Sequence, residues 1–140
     1  MALSARLAAV VDALPLRPGM RVLEVGGAPG AAAREIVRRI GDGHVHVVDR
    51  SERGVRLVER ACAPEIAAGR LSVRCVDVED FELDGQEPFD LALACRVGVF
   101  DGRHPGAVAR RRVAAALAPG GRFFVDGGNP LREVDLRGCV

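Results

Sequence analysis

The sequence predicts an α/β fold built on a doubly wound parallel sheet, and three features of the 140-residue chain support this. Short β-branched segments alternate with amphipathic helical segments, an order that right-handed crossovers build into a parallel sheet with helices on both faces. A glycine-rich turn, GGAPG at 26–30, joins the first strand directly to a helix. The length suits one domain with its own core, and no repeat or low-complexity linker divides it.

The first part of the chain predicts helix, strand, helix and strand in that order. Leucine and valine recur at helical spacing over 3–14, and prolines end this helix. RVLEV at 21–25 is a short apolar strand that breaks on the glycine turn. The helix that follows, 31–40, ends at Gly41, and the β-branched HVHVVD at 44–49 is the second strand.

The middle of the chain continues the alternation of helix and strand. Ser51 is a suitable N-cap for a helix that runs to about Cys62, and a second short helical stretch covers 65–68. LSVRCVDV at 71–78 is the third strand. An acidic, loop-like segment then leads to the fourth strand, FDLALACRV at 89–97.

The last part predicts a loop, a helix and a fifth strand. The loop 97–106 precedes a helix over 107–117, whose inward residues are expected to be Val108, Val113 and Leu117. A PGG turn leads into RFFVDGG at 122–128. We therefore expect a single domain, 1–140, divided into an N-terminal helix and turn (1–19), a core (20–126) and a tail (127–140).

Composition excludes several kinds of function. All 20 lysine-plus-arginine positions are arginine, so Schiff-base chemistry and a P-loop lysine are excluded. A net charge of +1 and 4% aromatic residues do not favour nucleic-acid binding. The four cysteines form no CxxC pair, which indicates reduced thiols and no metal site. With neither a signal peptide nor a membrane-spanning run, we predict a cytoplasmic protein without a membrane partner.

The glycine turn lies where open parallel sheets bind ligands, outside the carboxyl end of a strand. As a dinucleotide fingerprint, G-x-G-x-x-G, it matches one glycine of three. Read as acid-x-G-x-G-x-G from Glu24, it matches three positions of four, with Ala28 in place of the middle glycine. Asp49, 23 residues after Gly26, ends the second strand, where a carboxylate accepts ribose hydroxyls. Nicotinamide dinucleotide and adenosylmethionine sites share this acid, so both ligands stay open at this point.

The segments EVGGAPG, VVDRS, CVDVEDF, FDLALACRV and LAPGGRFFV together resemble, in order and spacing, the motifs of class I S-adenosylmethionine-dependent methyltransferases. The resemblance covers about residues 20–126. It implies a Rossmann-like sheet with strand order 3-2-1-4-5. The chain resembles a small, C-terminally short member of this family, without most or all of the usual hairpin of strands six and seven.

The resemblance also implies which residues bind the cofactor, S-adenosylmethionine. The turn residues would line its methionine and ribose part, Glu24 would help to place its amino group, and Asp49 would hold the ribose. Asp77 and Val78 would face the adenine, and Cys95 would lie near the methionine end. The full set of implied cofactor residues is Glu24, Gly26, Gly27, Ala28, Gly30, Asp49, Arg50, Ser51, Asp77, Val78 and Cys95.

The chain departs from the family pattern at two points. The first is Ala28, which replaces the usual middle glycine of the turn. Ala-Pro-Gly turns do occur among ribosomal-RNA 2′-hydroxyl methyltransferases, but a lysine-free chain cannot supply the Lys-Asp-Lys-Glu catalytic set of that subgroup. The short C-terminus would leave strand five at an open apolar edge, which favours pairing with another strand. Either the tail 133–140 folds back on this edge or a second subunit covers it, and we expect a homodimer.

The loop after the fourth strand carries the candidate catalytic residues. His104 is a candidate general base because its ordinary pKa is near neutrality. Asp101 is a second candidate, and Arg96 is a candidate for binding an acidic substrate or the cofactor carboxylate. We therefore predict a methyltransferase that acts on a small-molecule acceptor. The alternatives are a non-catalytic cofactor-binding module that completes a larger assembly, and an NAD(P)-dependent oxidoreductase.

Overall fold

A computed structural model of the chain describes residues 3–100 and 106–139, and these residues form a six-stranded sheet. The strands are β1 (Arg21–Val25), β2 (His44–Asp49), β3 (Leu71–Cys75), β4 (Phe89–Ala94), β5 (Leu117–Asp126) and β6 (Leu131–Glu133). The helices are α1 (Ala5–Ala13), α2 (Ala31–Arg39), α3 (Glu52–Ala61), α4 (Ala63–Ala67) and α5 (Ala107–Ala116). Two single 3₁₀ turns cover Val78–Asp80 and Gly98–Phe100.

The strand order is β3-β2-β1-β4-β5-β6, which confirms the predicted order of the first five strands. The first five strands are parallel, and β6 runs antiparallel to β5. After β3 the chain crosses to the other side of β1 to form β4. The strand order therefore reverses beside β1, which is the position where open α/β sheets place their ligand crevice.

Alternate residues along each central strand fill two apolar layers, one on each face of the sheet. On one face Val22 and Val45 pack with α1, α2 and α3, whose inward residues include Ile36 and Val58. On the other face Leu23 packs in a layer closed by α5. This two-sided burial explains why the central strands read as continuous apolar runs in the sequence.

Several element boundaries and one inward residue differ from the sequence prediction; β4, for example, ends at Ala94 and not at residue 97. β3 ends at Cys75, because the Asp77 side chain accepts a hydrogen bond from Glu79 N and caps a 3₁₀ turn. β5 begins at Leu117, and the PGG segment is an irregularity in its pairing with β4. Val108, predicted to point inward, is 39% exposed, because Ala109 and Val113 form the inward face of α5.

The chain folds back on the edge of β5, which was one of the two predicted alternatives, but the paired segment begins at Leu131, before the predicted tail 133–140. Leu131–Glu133 pair with Asp126–Phe124 in antiparallel register. The Arg122 guanidinium donates to both carboxylate oxygens of Glu133, at 3.1 and 2.8 Å, and links the two strands on their exposed side. The edge of strand five is therefore covered over three residue pairs by the chain itself.

A chain of hydrogen bonds joins two histidines of β2, His44 and His46, to Ser72 near the start of β3. Gly69 O accepts from His44 Nδ1 at 2.8 Å, so His44 Nε2 accepts from Ser72 Oγ at 2.7 Å. Ser72 Oγ in turn accepts from His46 Nδ1 at 2.6 Å, and Gln86 Nε2 donates to His46 Nε2 at 3.3 Å. These directions hold with both imidazoles neutral, and burial favours the neutral form by lowering the pKa of His44 and of His46.

Burial strengthens the preference of His46 for the neutral form. The ring is 4% exposed and stacks on Phe89. Burial, and then the charges of His44, Arg74 and Arg21, lower the pKa of His46 to about 4. A proton on Nε2 would also face the Gln86 amide hydrogens. The folded state therefore binds this proton much less readily than the unfolded state does.

We predict that acid weakens the fold through His46. Between pH 6.5 and 4 only the unfolded state takes up the proton, so the contribution of His46 to the free energy of unfolding falls by about 3 kcal/mol as pH decreases. The buried Glu24, whose pKa is raised to about 8, acts in the opposite sense over most of this range, so the contribution of His46 is measured as a difference between variants. Urea titrations followed by circular dichroism measure this, since the chain has no Trp or Tyr. The advantage in stability of the wild-type protein over His46→Gln should shrink by this amount as pH falls from 6.5 to 4, so the two proteins should have different pH slopes. An unchanged slope in that variant would contradict the account.

Candidate functional site

A cavity of about 670 Å³ opens at the carboxyl ends of the strands, beside β1 where the strand order reverses. Four strand ends and the start of α5 surround it, so residues far apart in the sequence meet there. Its walls are mostly apolar with a few charged groups, as is usual for a small-molecule site. The lining residues are Val25, Gly26, Val48, Asp49, Arg50, Val76, Asp77, Val78, Glu79, Arg96, Val97, Gly98, Val99, Gly106, Ala107 and Val108.

The glycine turn permits close packing at the end of β1. A Cβ on Gly26 would lie 2.7 Å from Val97 Cγ2, and the residue has a φ of +70°, so a side chain is excluded both by space and by backbone conformation. A Cβ on Gly27 would lie 2.7 Å from Val47 Cγ1 and 2.8 Å from Glu24 Oε1. The turn therefore lies directly over the Glu24 carboxyl.

Glu24 is a buried acid without a hydrogen-bond partner for one of its oxygens among the described residues. Its side chain is 3% exposed, and Oε1 is the unpartnered atom. Burial, and then the negative charge of Asp49, raise the pKa of Glu24 to about 8. An unpartnered buried carboxyl is costly, so this group is suited to meet a polar or cationic ligand that reaches the turn.

Two acids at the ends of β2 and β3 are held by backbone hydrogen bonds. Asp49 Oδ2 accepts from Ala28 N at 3.2 Å, and Oδ1 accepts from Ser51 N at 3.0 Å. Asp49 thus ties the glycine turn to β2. Asp77 Oδ1 accepts from Glu79 N at 2.9 Å. Both residues line the cavity. Each carboxylate oxygen has two lone pairs, so acceptor capacity remains for a ligand.

The end of β4 forms the opposite wall. Arg96 has a φ of +56°, and its backbone N donates to Asp126 Oδ1 at 2.9 Å. Cys95, just before it, is half-buried and packs against the core on the α2 face. Burial, with the charges of Glu24 and Asp126, raises the pKa of the Cys95 thiol to about 12. Cys95 is therefore a packing residue and not an activated nucleophile.

The structure brings some of the expected site residues together and leaves others outside the cavity. Those that line it are Gly26, Asp49, Arg50, Asp77, Val78 and Arg96. Those that do not line it are Glu24, Gly27, Ala28, Gly30, Ser51 and Cys95. Gly30 instead packs against Cys62, and Ser51 caps α3 by accepting from Gly54 N. Asp101 and His104 lie outside the described residues.

Several lining residues were not predicted from the sequence. Val97, Gly98 and Val99 follow β4, and Gly106–Val108 begin α5. The candidates predicted from this loop were Arg96, Asp101 and His104. Its small and apolar residues carry no chemical group that would have indicated them, although loops at the carboxyl edge of a parallel sheet usually carry the site. Within residues 3–100 and 106–139, no three His, Cys, Asp or Glu side chains are grouped as a metal site would require. None of the helices in these ranges has the length and hydropathy needed to cross a bilayer.

We predict that Glu24 makes the ligand-free protein less stable at alkaline pH. Its carboxyl ionises at pH 4.5 when unfolded but only near pH 8 when folded. The stabilisation is thus complete below pH 4.5 and is lost as pH rises toward 8, by about 3 kcal/mol between pH 5 and 8. Urea titrations of the wild-type protein and Glu24→Gln test this, with Glu87→Gln as the matched, exposed control. Equal pH slopes in wild type and Glu24→Gln would contradict it.

The chain matches the family described as "Methyltransferase domain" over residues 22–121. This region contains β1 from Val22 onward, β2 to β4, the glycine turn and every residue of the cavity wall described above. No curated protein matches the chain at a significant level.

Solved structures support the same fold. A methyltransferase from Mesorhizobium loti is 26% identical, with a TM-score of 0.70 over 87% of this chain and 53% of that one. A methyltransferase from Thiobacillus denitrificans, solved with S-adenosylhomocysteine, is 24% identical, with a TM-score of 0.69 over 88% and 48%.

A phosphoethanolamine N-methyltransferase from Haemonchus contortus, solved with phosphomonomethylethanolamine and S-adenosylhomocysteine, is 25% identical, with a TM-score of 0.70 over 86% of this chain and 27% of that one. The chain thus spans about half the length of the Mesorhizobium loti and Thiobacillus denitrificans proteins, and about a quarter of the Haemonchus contortus protein. Strand order, cavity position and family match agree: the chain belongs to the methyltransferase domain family, as its resemblance to class I S-adenosylmethionine-dependent methyltransferases implied.

Proposed function

We propose that this domain binds S-adenosylmethionine in the cavity beside β1 and transfers its methyl group to a small-molecule acceptor. The observation that carries the proposal is the arrangement of acids around the glycine turn. Asp49 and Asp77 line the β2 and β3 side of the cavity, and the unpartnered Glu24 oxygen lies directly beneath the turn. These groups suit a ligand with ribose hydroxyls, an adenine amino group and an ammonium group.

The residues present fit this cofactor. Asp49 and Asp77 would accept from the ribose and the adenine, and the valines at 48, 76 and 78 would pack against the apolar faces of the nucleoside. Glu24 would offset the charge of the amino group through the turn or a water molecule. When bound, S-adenosylmethionine supplies a methyl group already activated on a sulfonium.

The protein's part in the reaction is then mainly alignment. Methyl transfer is an in-line displacement, so the walls at 96–99 and 106–108 would orient the acceptor and exclude water. A hydroxyl or ammonium acceptor must also lose a proton. We keep His104 and Asp101 as candidates for that base, and Arg96 as the candidate for an anionic group on the acceptor.

The acceptor is proposed to be small because the walls leave one cavity of limited size. The Haemonchus contortus relative was solved with phosphomonomethylethanolamine, which is a small amine. We also propose a cytoplasmic location, because Cys62, Cys75, Cys95 and Cys139 are all free thiols. A homodimer stays a proposal, because β6 pairs with only three residues of β5, Phe124–Asp126, and leaves the start of β5 without a neighbouring strand on this side among the described residues.

Calorimetry with S-adenosylmethionine, S-adenosylhomocysteine and NAD tests the cofactor, and a labelled methyl donor with a panel of small amines, alcohols and acids tests the reaction. We expect both adenosyl ligands to bind at micromolar concentration and NAD not to bind. Binding of NAD alone would overturn the proposal in favour of an oxidoreductase. Adenosyl binding without transfer to any acceptor would favour the non-catalytic module.

We predict that binding of S-adenosylhomocysteine is coupled to ionisation of Glu24. The ligand's ammonium group favours the carboxylate, while burial keeps the free protein's carboxyl protonated up to about pH 8. The affinity of the wild-type protein should therefore rise by about tenfold or more from pH 6 to pH 8. Calorimetry in two buffers of different ionisation enthalpy measures the proton released.

Glu24→Gln should bind more weakly than the wild-type protein at pH 8 and lose the pH dependence. The matched control, Glu87→Gln, removes an exposed carboxylate from the loop before β4 and should behave like the wild-type protein. A Glu24→Gln variant that keeps the wild-type pH dependence would show that another group is responsible.

A further inference from the structure

We propose that Asp126, at the end of β5, and Arg132, on β6, are positioning residues that hold the segment 96–100, of which residues 96–99 line the cavity. This inference rests on the proposed function, because the wall matters only if the cavity binds a ligand. We call residues 96–100 the β4 wall. Neither Asp126 nor Arg132 lines the cavity, so both act through the backbone of this wall.

The β4 wall begins with an unfavourable backbone conformation. Arg96 has a φ of +56°, and Asp84 is the one other non-glycine residue with a positive φ in the described ranges. The left-handed region is unfavourable for a residue with a Cβ, so surrounding contacts must stabilise it. The Arg96 side chain is exposed and does not supply burial.

Asp126 supplies that contact. Val125 pairs with Ala94 in the sheet, so Asp126 follows at the carboxyl edge, level with the start of the wall. Its Oδ1 accepts from Arg96 N at 2.9 Å, and its Oδ2 pairs with Arg6 Nη1 of α1 at 3.1 Å. The ion pair with the 41% exposed Arg6 is partly screened by water, so the bond to Arg96 N is the important one.

Arg132 ties the other end of the same wall. Its Nη2 donates to Phe100 O at 3.3 Å, and Phe100 N donates to Val97 O at 2.9 Å. The Phe100 ring packs edge-on against Phe123 of β5, with ring centroids 5.0 Å apart. The hairpin of β5 and β6 thus holds the β4 wall at its first and last residues.

The position of the wall decides whether the cavity keeps its shape. Val97 Cγ2 lies so close to Gly26 that a Cβ there would approach to 2.7 Å. If Arg96 relaxed to a negative φ, the direction of the chain would change one residue before Val97. The contact over Gly26 would then be lost, along with the wall that closes the cavity on this side.

Three substitutions separate the roles. Asp126→Ala removes both contacts, Asp126→Asn keeps an oxygen for Arg96 N but loses the charge, and Arg6→Ala removes only the ion pair. Hydrogen exchange of the backbone amides at 96–100 and calorimetry with S-adenosylhomocysteine are measured on each variant. Circular dichroism identifies any variant that fails to fold, and Arg132→Ala then provides an independent test of the same wall.

We expect Asp126→Ala to exchange the 96–100 amides at least tenfold faster and to bind S-adenosylhomocysteine about tenfold more weakly. Asp126→Asn and Arg6→Ala should stay within threefold of the wild-type protein in both measurements, and Arg132→Ala should accelerate exchange at Phe100. Unchanged exchange in Asp126→Ala, or faster exchange with unchanged affinity, would overturn the inference. Failure of the wild-type protein to bind the ligand would contradict the proposed function alone, since exchange still decides whether Asp126 holds the wall.

Discussion

The structure depends on how closely the backbone of the glycine turn, at the end of β1, packs against side chains of β1, β2 and the β4 wall. Gly26 leaves space for Val97 of the β4 wall, and Gly27 leaves space for the Glu24 carboxyl below it. Asp49 fixes the same turn from β2 through Ala28 N. Three neighbouring strands therefore meet at one turn, and the cavity is the space that remains above it. A Cβ at either glycine would approach to 2.7 Å from a neighbouring side chain, Val97 for Gly26 and Val47 for Gly27, so these side chains would have to move.

The two buried ionisable groups in the sheet, Glu24 and His46, show different solutions to the cost of burial. His46 lies at the amino-terminal end of the strands and has a partner on each ring nitrogen. Its network is complete, so it serves stability and offers no free group to a ligand. Glu24 lies at the carboxyl end and keeps one oxygen without a partner among the described residues. The Glu24 oxygen that lacks a hydrogen-bond partner is what favours a ligand at this end of the sheet.

Sequence reasoning succeeded where a local pattern determined the structure. The alternation of apolar segments and helices predicted a parallel sheet with helices on both faces, and Ser51 was predicted as a cap from its position alone. The order of the first five strands was implied by the family resemblance. The β4 wall was not predictable, because the positive φ of Arg96 depends on Asp126, which is 30 residues away. Val108 was misplaced because small residues, Ala109 and Ala116, form the buried face of α5. Gly30 was expected at the ligand but packs against Cys62, a contact that only the folded helices create.

A crystal structure grown with S-adenosylhomocysteine tests the central claim most directly. The account predicts the ligand in the cavity beside β1, with its ribose at Asp49, its adenine between the residues at 76–78 and the β2 end, and its amino group nearest the glycine turn over Glu24. Electron density for the ligand at any other surface, or an adenine placed against the β4 wall, would contradict the assignment of this cavity.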